Sequence, residues 1–189
     1  SGAVDTRIRL RNPALVEVVN TTNDRVDYQL LSTGTYSILV EDSGLNDAGG
    51  YNLCVLNVTA GPLTSAGDTD GGAIVSAEIK TGQMQQAGDF DAFTFTGTAG
   101  QRVVFSALAT TAAPFNTEIY LYPPGGGPAQ TNTFSADRLD AQLTATGTYT
   151  VVVHDYFMTN AGTYTVILDK PDVDRNAVRP GRPLTNSAA

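Results

Sequence analysis

DRVDYQLLSTGTYSILVEDSGLNDAGGY, Asp24–Tyr51, and DRLDAQLTATGTYTVVVHDYFMTNAGTY, Asp137–Tyr164, are one stretch of sequence written twice. The two lie 113 residues apart without a gap, and about half of the positions are identical. With a small gap the match extends upstream, pairing TRIRLRNP (Thr6–Pro13) with TEIYLYPP (Thr117–Pro124). Ahead of Thr117 the later repeat carries a long further stretch: Ile74–Lys80, GDFDAFTFTGTAGQ at Gly88–Gln101, and Arg102–Leu108. Ahead of Thr6 the earlier repeat has almost nothing, so the chain reads as the C-terminal half of a unit followed by a whole unit.

Alternation within the repeat sets the fold class. Val4, Thr6, Ile8 and Leu10 point one way, and Asp5, Arg7 and Arg9 the other. Tyr36, Ile38 and Val40 repeat the pattern, as do Tyr149, Val151 and Val153. Tyr51, Leu53 and Val55 match Tyr164, Val166 and Leu168, while Ala92–Thr96 and Val103–Ala107 supply strands found only in the later repeat. Thr-Gly-Thr-Tyr, at Thr33–Tyr36 and Thr146–Tyr149, reads as a turn opening an inner strand. No segment has a helical period. The expectation is an all-β chain of tandem jelly-roll-like antiparallel β-sandwich units. Its parts are a partial unit over 1–59, a Gly/Asp/Thr-rich linker over 60–72, a complete domain over 73–170, and a proline-bearing extended tail over 171–189.

Composition bounds the function. The chain has 189 residues, a net charge of −8 and a pI of about 4.4. Such a chain repels phosphate backbones and anionic lipid, so nucleic acid is not an expected partner. No apolar run approaches the length of a transmembrane helix, so no membrane insertion is expected. The single cysteine, Cys54, rules out an intrachain disulfide. It aligns with Ile167, which suggests a small apolar packing role. No signal peptide is visible at Ser1–Leu10, leaving a cytosolic chain or a mature product without its leader.

The run GDFDAFTFTGTAGQRVVFSA, then EIYLYPPGG, LTATGTYTVVVHD and NAGTYTVIL, resembles the bacterial pre-peptidase C-terminal domain. The shared features are the Asp-x-Asp-x-Phe-x-Phe start, the Ala-Gly turn, the Leu-Tyr-x-Pro-x-Gly strand end and the Gly-x-Tyr strand. The resemblance covers Ala73–Leu168, with the same motifs over Thr6–Val58. It implies a β-sandwich module of a secreted protein, of a kind that sits beside peptidases, binds collagen or polysaccharide in some members, and binds calcium in several. It therefore favours an extracellular or cell-surface location. No peptidase accompanies the modules in this sequence.

Candidate sites are few. Asp89 and Asp91 sit two apart before a strand; Asp155 and Asn160 share a loop matched by Asp42, Asn46 and Asp47. These oxygens suit calcium, and they also suit plain turn capping. Zinc is not credible with one His and one Cys. His154 aligns with Glu41, which suggests an exposed, replaceable position rather than a catalytic base. No catalytic residue is assigned. Asp24-Arg25 and Asp137-Arg138 recur and read as local turn ion pairs or a shared interface motif. Asn20 and Asn57 fit the glycosylation triplet.

A partial sandwich leaves Tyr36, Ile38, Val40, Tyr51, Leu53 and Val55 without cover. Three remedies exist: packing on the whole unit, strands lent by a neighbouring chain, or completion within a longer protein. Identical subunits complementing one another head to tail would form a filament or tube, with the tail from Pro171 as a strap. The rival expectation is an accessory adhesion module of a secreted peptidase or other hydrolase, binding extracellular protein or polysaccharide.

Overall fold

The computed structural model describes residues 4–59, 68 and 70–171, and the rest of the expected linker and tail lies outside them. The strands run in chain order as β1 (Thr6–Arg11), β2 (Glu17–Thr21), β3 (Ser37–Asp42), β4 (Gly72–Ala73), β5 (Ile79–Met84) and β6 (Phe90–Gly97). They continue as β7 (Arg102–Ala109), β8 (Thr117–Tyr122), β9 (Thr131–Asn132), β10 (Arg138–Gln142), β11 (Gly147–Asp155) and β12 (Gly162–Asp169). The chain is all-β, with a sandwich formed by a five-stranded sheet, β4-β6-β11-β8-β9, and a four-stranded sheet, β10-β7-β12-β5. Every pairing is antiparallel except β4 with β6.

The core lies between these sheets. Phe93, Phe95, Ile119, Leu121, Tyr149, Val151 and Val153 come from one layer. Val103, Phe105, Ala107, Leu139, Tyr164, Val166 and Leu168 come from the other. The period-two side-chain alternation of each strand produces these sets. β11 departs from alternation, because Tyr149 through Asp155 are all buried. Its inner face meets the core, and its outer face is covered by the first segment, residues 4–59.

That segment carries a three-stranded sheet, β2-β1-β3. Its register repeats that of the sandwich at matched residues: Thr6 pairs with Asp42 as Thr117 pairs with Asp155. Local contacts repeat as well. Thr6 donates to Asp24 at 2.6 Å, as Thr117 donates to Asp137 at 2.7 Å. The Tyr36 hydroxyl lies 3.2 Å from both the amide and the carbonyl of Ser32, and that of Tyr149 lies 2.8 and 2.9 Å from those of Ala145. Gly34 (φ +144°) sits against Pro13 as Gly147 (φ +151°) sits against Pro124, and a Cβ at either would come within 2.8 Å of the proline ring. Only glycine satisfies both the positive φ and the close approach.

Two matched stretches do not repeat. Residues 138–142 and 162–169 form β10 and β12, but their counterparts, 25–29 and 49–56, form no strand. Tyr51, Leu53 and Val55, expected from alternation to be inner strand residues, are 56%, 52% and 68% exposed. The sandwich supplies the reason. β10 and β12 do not pair with each other; both hydrogen-bond to β7, which lies between them. Among the described residues the first segment has no counterpart of β7, nor of β5, which pairs with the other edge of β12, so neither stretch has a ladder partner.

Burial predicts unequal costs at one inner-facing leucine of each segment. Leu121→Ala, with a fully buried parent side chain, should cost about 2–5 kcal/mol in denaturant unfolding of the monomer. Leu53→Ala, half exposed, should stay within about 0.5 kcal/mol. A comparable loss at Leu53 would show that the first segment already has a closed core.

Candidate functional site

Three regions hold the chemistry: an acidic corner, the roofed outer face of the five-stranded sheet, and the inner face of the first segment.

The acidic corner forms where the chain enters the sandwich. Oxygens of Asp68, Asp70 and Asp91 all lie within 4.8 Å of one another. Asp91 is brought there by β6, whose pleat turns it inward beside Phe93. It is fully buried; one carboxylate oxygen accepts from the Tyr164 hydroxyl, and Oδ1 has no partner. Gly82 makes room for that tyrosine, since a Cβ there would lie 2.3 Å from the Tyr164 ring and hydroxyl. Asp70 accepts from the Gln83 amide at 2.8 Å, and Asp68 from the Asp70 amide at 2.9 Å. Burial raises the Asp91 pKa to about 8, with the carboxylates of Asp68, Asp89 and Asp70 adding to the rise. Three carboxylates, one of them buried with an oxygen that takes no hydrogen bond, form the kind of donor set that suits a hard cation such as calcium.

Of the residues singled out in the sequence, only Asp91 joins this cluster. Asp89 is nearby, but its oxygens take the amides of Gln85 at 2.8 Å and Phe90 at 3.0 Å. Asp155 accepts from the amides of Asn116, Thr159 and Asn160 and from the Asn160 side chain, all at 3.0–3.1 Å. Asp42 does the same for the amides of Asp5, Asn46 and Asp47 at 3.0–3.3 Å. These carboxylates close turns in both repeats, and Asp42, Asp47, Asp155 and Asn160 are not gathered with Asp91. Asp68 and Asp70 were read as linker; the signal that could have found them was an Asp-x-Asp pair just ahead of the first strand of the domain.

The outer face of the five-stranded sheet corrects the expectation for His154, which is 1% exposed rather than a surface residue. Its Nδ1 donates to the Asp155 carbonyl at 2.8 Å, and Nε2 accepts from the Arg25 guanidinium at 3.0 Å, with Glu118 3.5 Å away. Arg25 belongs to the first segment. Its guanidinium lies 3.3 Å from the centre of the Tyr120 ring and donates to the Tyr122 hydroxyl, which donates to Asp27. Arg25 is therefore an anchor between segment and sandwich, not a partner of Asp24. Leu56 and Val58 pack on Ala92, Tyr122 and Val152, and the Val58 carbonyl accepts from Thr150 at 2.8 Å. Cys54 is half-buried on the same side of its stretch, and burial raises its thiol pKa. A cleft of about 340 Å³ opens beside Arg25, lined by Glu118, Tyr120, His154, Tyr156 and Phe157 among others.

The matching outer face of the first segment is different in kind. Where β8 presents Glu118, Tyr120 and Tyr122, β1 presents Arg7, Arg9 and Arg11. Arg9 pairs with Glu17 at 2.6 Å and with Glu41 at 3.5 Å. That surface is charged and solvated. The inner face is the reverse: Leu10 is buried, but Ile38, Leu30, Tyr51, Leu53 and Val55 are all more than 40% exposed.

With this geometry in view, solved structures of similar fold include the PliG periplasmic inhibitor of g-type lysozyme from Aeromonas hydrophila. It shows 14% identity over 53% of this chain and 95% of that one, with a TM-score of 0.44. The pre-peptidase C-terminal domain of collagenase from Bacillus anthracis shows 15% identity over 56% of this chain and 100% of that one, with a TM-score of 0.44. PliG from Salmonella Typhimurium shows 20% identity over 53% and 97%, with a TM-score of 0.42. No protein-family model and no curated protein sequence matches the chain.

The pKa shifts give opposite pH dependences without metal. A native pKa near 8 keeps Asp91 protonated from about pH 4 to 8 while the unfolded chain releases that proton. Its contribution to stability therefore falls as pH rises through that window, and Asp91→Asn should flatten the slope in metal-free unfolding titrations. His154, with its pKa lowered to about 4 by burial first and then by Arg25, works the other way. Its stability contribution is complete above about pH 6.5 and is lost as pH falls toward 4. His154→Gln should weaken that acid loss.

Proposed function

We propose that the chain is a non-catalytic extracellular structural protein that assembles with further copies of itself, joining through the unfinished inner face of the first segment. One observation carries this reading. Residues matched in sequence are buried in the sandwich and exposed in the first segment: Val151 against Ile38, Val166 against Leu53, Leu168 against Val55. Each such side chain left in water forgoes roughly 1.5–3 kcal/mol, and a contiguous apolar face on a secreted protein marks a contact surface. A contact between this face and a different surface of the next subunit is heterologous, and it propagates as a filament or tube. The engagement of both His154 nitrogens supports the absence of catalysis.

Calcium is part of this proposal. Asp68, Asp70 and Asp91 would hold it, tying the entry of the chain to β6. Binding requires Asp91 to lose its proton, so affinity should rise with pH up to about 8. Added calcium should raise the unfolding temperature at pH 7 and should leave Asp91→Asn unmoved. An unchanged wild-type transition at millimolar calcium counts against the site.

A second reading is an accessory adhesion module of a secreted peptidase or other hydrolase. The exposed Tyr156–Phe157 pair beside the 340 Å³ cleft favours it, since aromatic faces suit protein or polysaccharide.

Light scattering across a concentration series decides between them. Self-assembly predicts growing particles that are abolished by Ile38→Asp with Leu53→Asp and unaffected by Tyr156→Ala. A monomer at every concentration, binding an extracellular polymer through Tyr156, establishes the second reading.

A further inference from the structure

Resting on the reading of the first segment as a contact face, we infer that its occupant is a two-stranded arch of the β6–β7 type, inserted between residues 25–29 and 49–56. The sandwich itself serves as the template. There, β6 and β7 are joined by the short Thr98–Gln101 turn and enter different sheets. β6 pairs along β11, setting Phe93 opposite Val151 and Phe95 opposite Tyr149. β7 runs between β10 and β12, setting Phe105 opposite both Leu139 and Leu168. One arch thus completes both layers.

The first segment retains counterparts of the arch's partners β10, β11 and β12; besides the arch it lacks β4, which pairs with β6, and β5, which pairs with the far edge of β12. β3 matches β11 and pairs only with β1, leaving the edge that β6 would use open among the described residues. Val26, Tyr28 and Leu30 match Leu139, Ala141 and Leu143 of the β10 side. Tyr51, Leu53 and Val55 match Tyr164, Val166 and Leu168 of the β12 side. The missing arch therefore accounts for the open edge of β3 and the unpaired 25–29 stretch and, together with the missing β5, for the unpaired 49–56 stretch and its exposed apolar residues. An incoming arch would form main-chain ladders with all three, with alternate apolar side chains turned toward Ile38 and Leu53.

The occupant's chemistry follows. Its first strand carries aromatic residues at alternate positions, its second carries alternate apolar residues, and a tight Gly-bearing turn joins them. The sandwich's own arch is not available, because Phe93, Phe95, Val103 and Phe105 are at most 3% exposed in its core. The occupant is therefore an arch that its parent polypeptide does not use elsewhere.

The probe is a synthetic peptide with the sequence of Gly88–Ala109, added to the intact chain, with amide hydrogen exchange as the readout. Amides of 25–29 and 49–56 should slow by about tenfold or more, at one peptide per chain. A peptide carrying Phe93→Asp and Phe95→Asp should give no slowing, and neither should the chain carrying Ile38→Asp with Leu53→Asp. Those two positions are exposed, so the variant chain keeps its sandwich. No protection at saturating peptide overturns the inference, as does protection by the control peptide or faster exchange in the chain's own β6–β7. Self-assembly without peptide binding would keep the proposed function and reject the arch. Peptide binding by a chain that stays monomeric would do the reverse.

Discussion

A strand in the middle of a sheet supports its two neighbours at once. In the sandwich that strand is β7, whose two edges hold β10 and β12. Remove it together with β5, which pairs with the far edge of β12, and both neighbours keep their apolar alternation but lose their hydrogen-bond partners. The first segment displays that outcome. Its stretches at 25–29 and 49–56 have the inner residues of strands without the ladders of strands. Side-chain patterning selects which face turns inward, whereas backbone pairing decides whether a strand exists. The two are separable, and this chain shows both results from nearly the same words.

That separation explains what the sequence could reveal. The alternation of Tyr149, Val151 and Val153 located β11, and Thr117–Tyr122 located β8, because short-range pattern suffices for paired strands. The same reading failed for Tyr51–Val55, because the missing partner is a non-local fact. His154 was misjudged for a related reason. Its counterpart is Glu41, but His154 is covered by Arg25, 129 positions upstream, which no local window contains. Arg25 looked like a turn residue and is instead seated on Tyr120. The acidic corner was half legible: the pair Asp89 and Asp91 pointed to the right strand, but β6 begins at Phe90 and leaves Asp89 in the turn before it. Asp91 went inward, Asp89 went to a turn, and the two neighbouring carboxylates came from the segment read as linker.

The two outer faces join these observations. Cys54, Leu56 and Val58 alternate with Tyr51, Leu53 and Val55. One set rests on the sandwich and the other waits on the opposite side. The 51–58 stretch is therefore both the roof of one unit and part of the floor of another. Fixing it through Arg25 and the Thr150–Val58 bond holds the apolar set outward. The corner at Asp68, Asp70 and Asp91 lies where the chain leaves this roof and enters the sandwich.

The contrast between Arg7, Arg9 and Arg11 on β1 and Glu118, Tyr120 and Tyr122 on β8 gives the molecule a direction. At the position of Leu56 and Val58, the sandwich carries Asp169, which is charged, and Pro171, which has no amide to donate. A surface laid against the first segment in the same manner would meet the arginines of β1, two of them ion-paired, where the first segment itself meets aromatic rings. The fit of roof to sheet therefore has a polarity: the rings that seat Val58 and Arg25 stand on the sandwich and have no twin on β1.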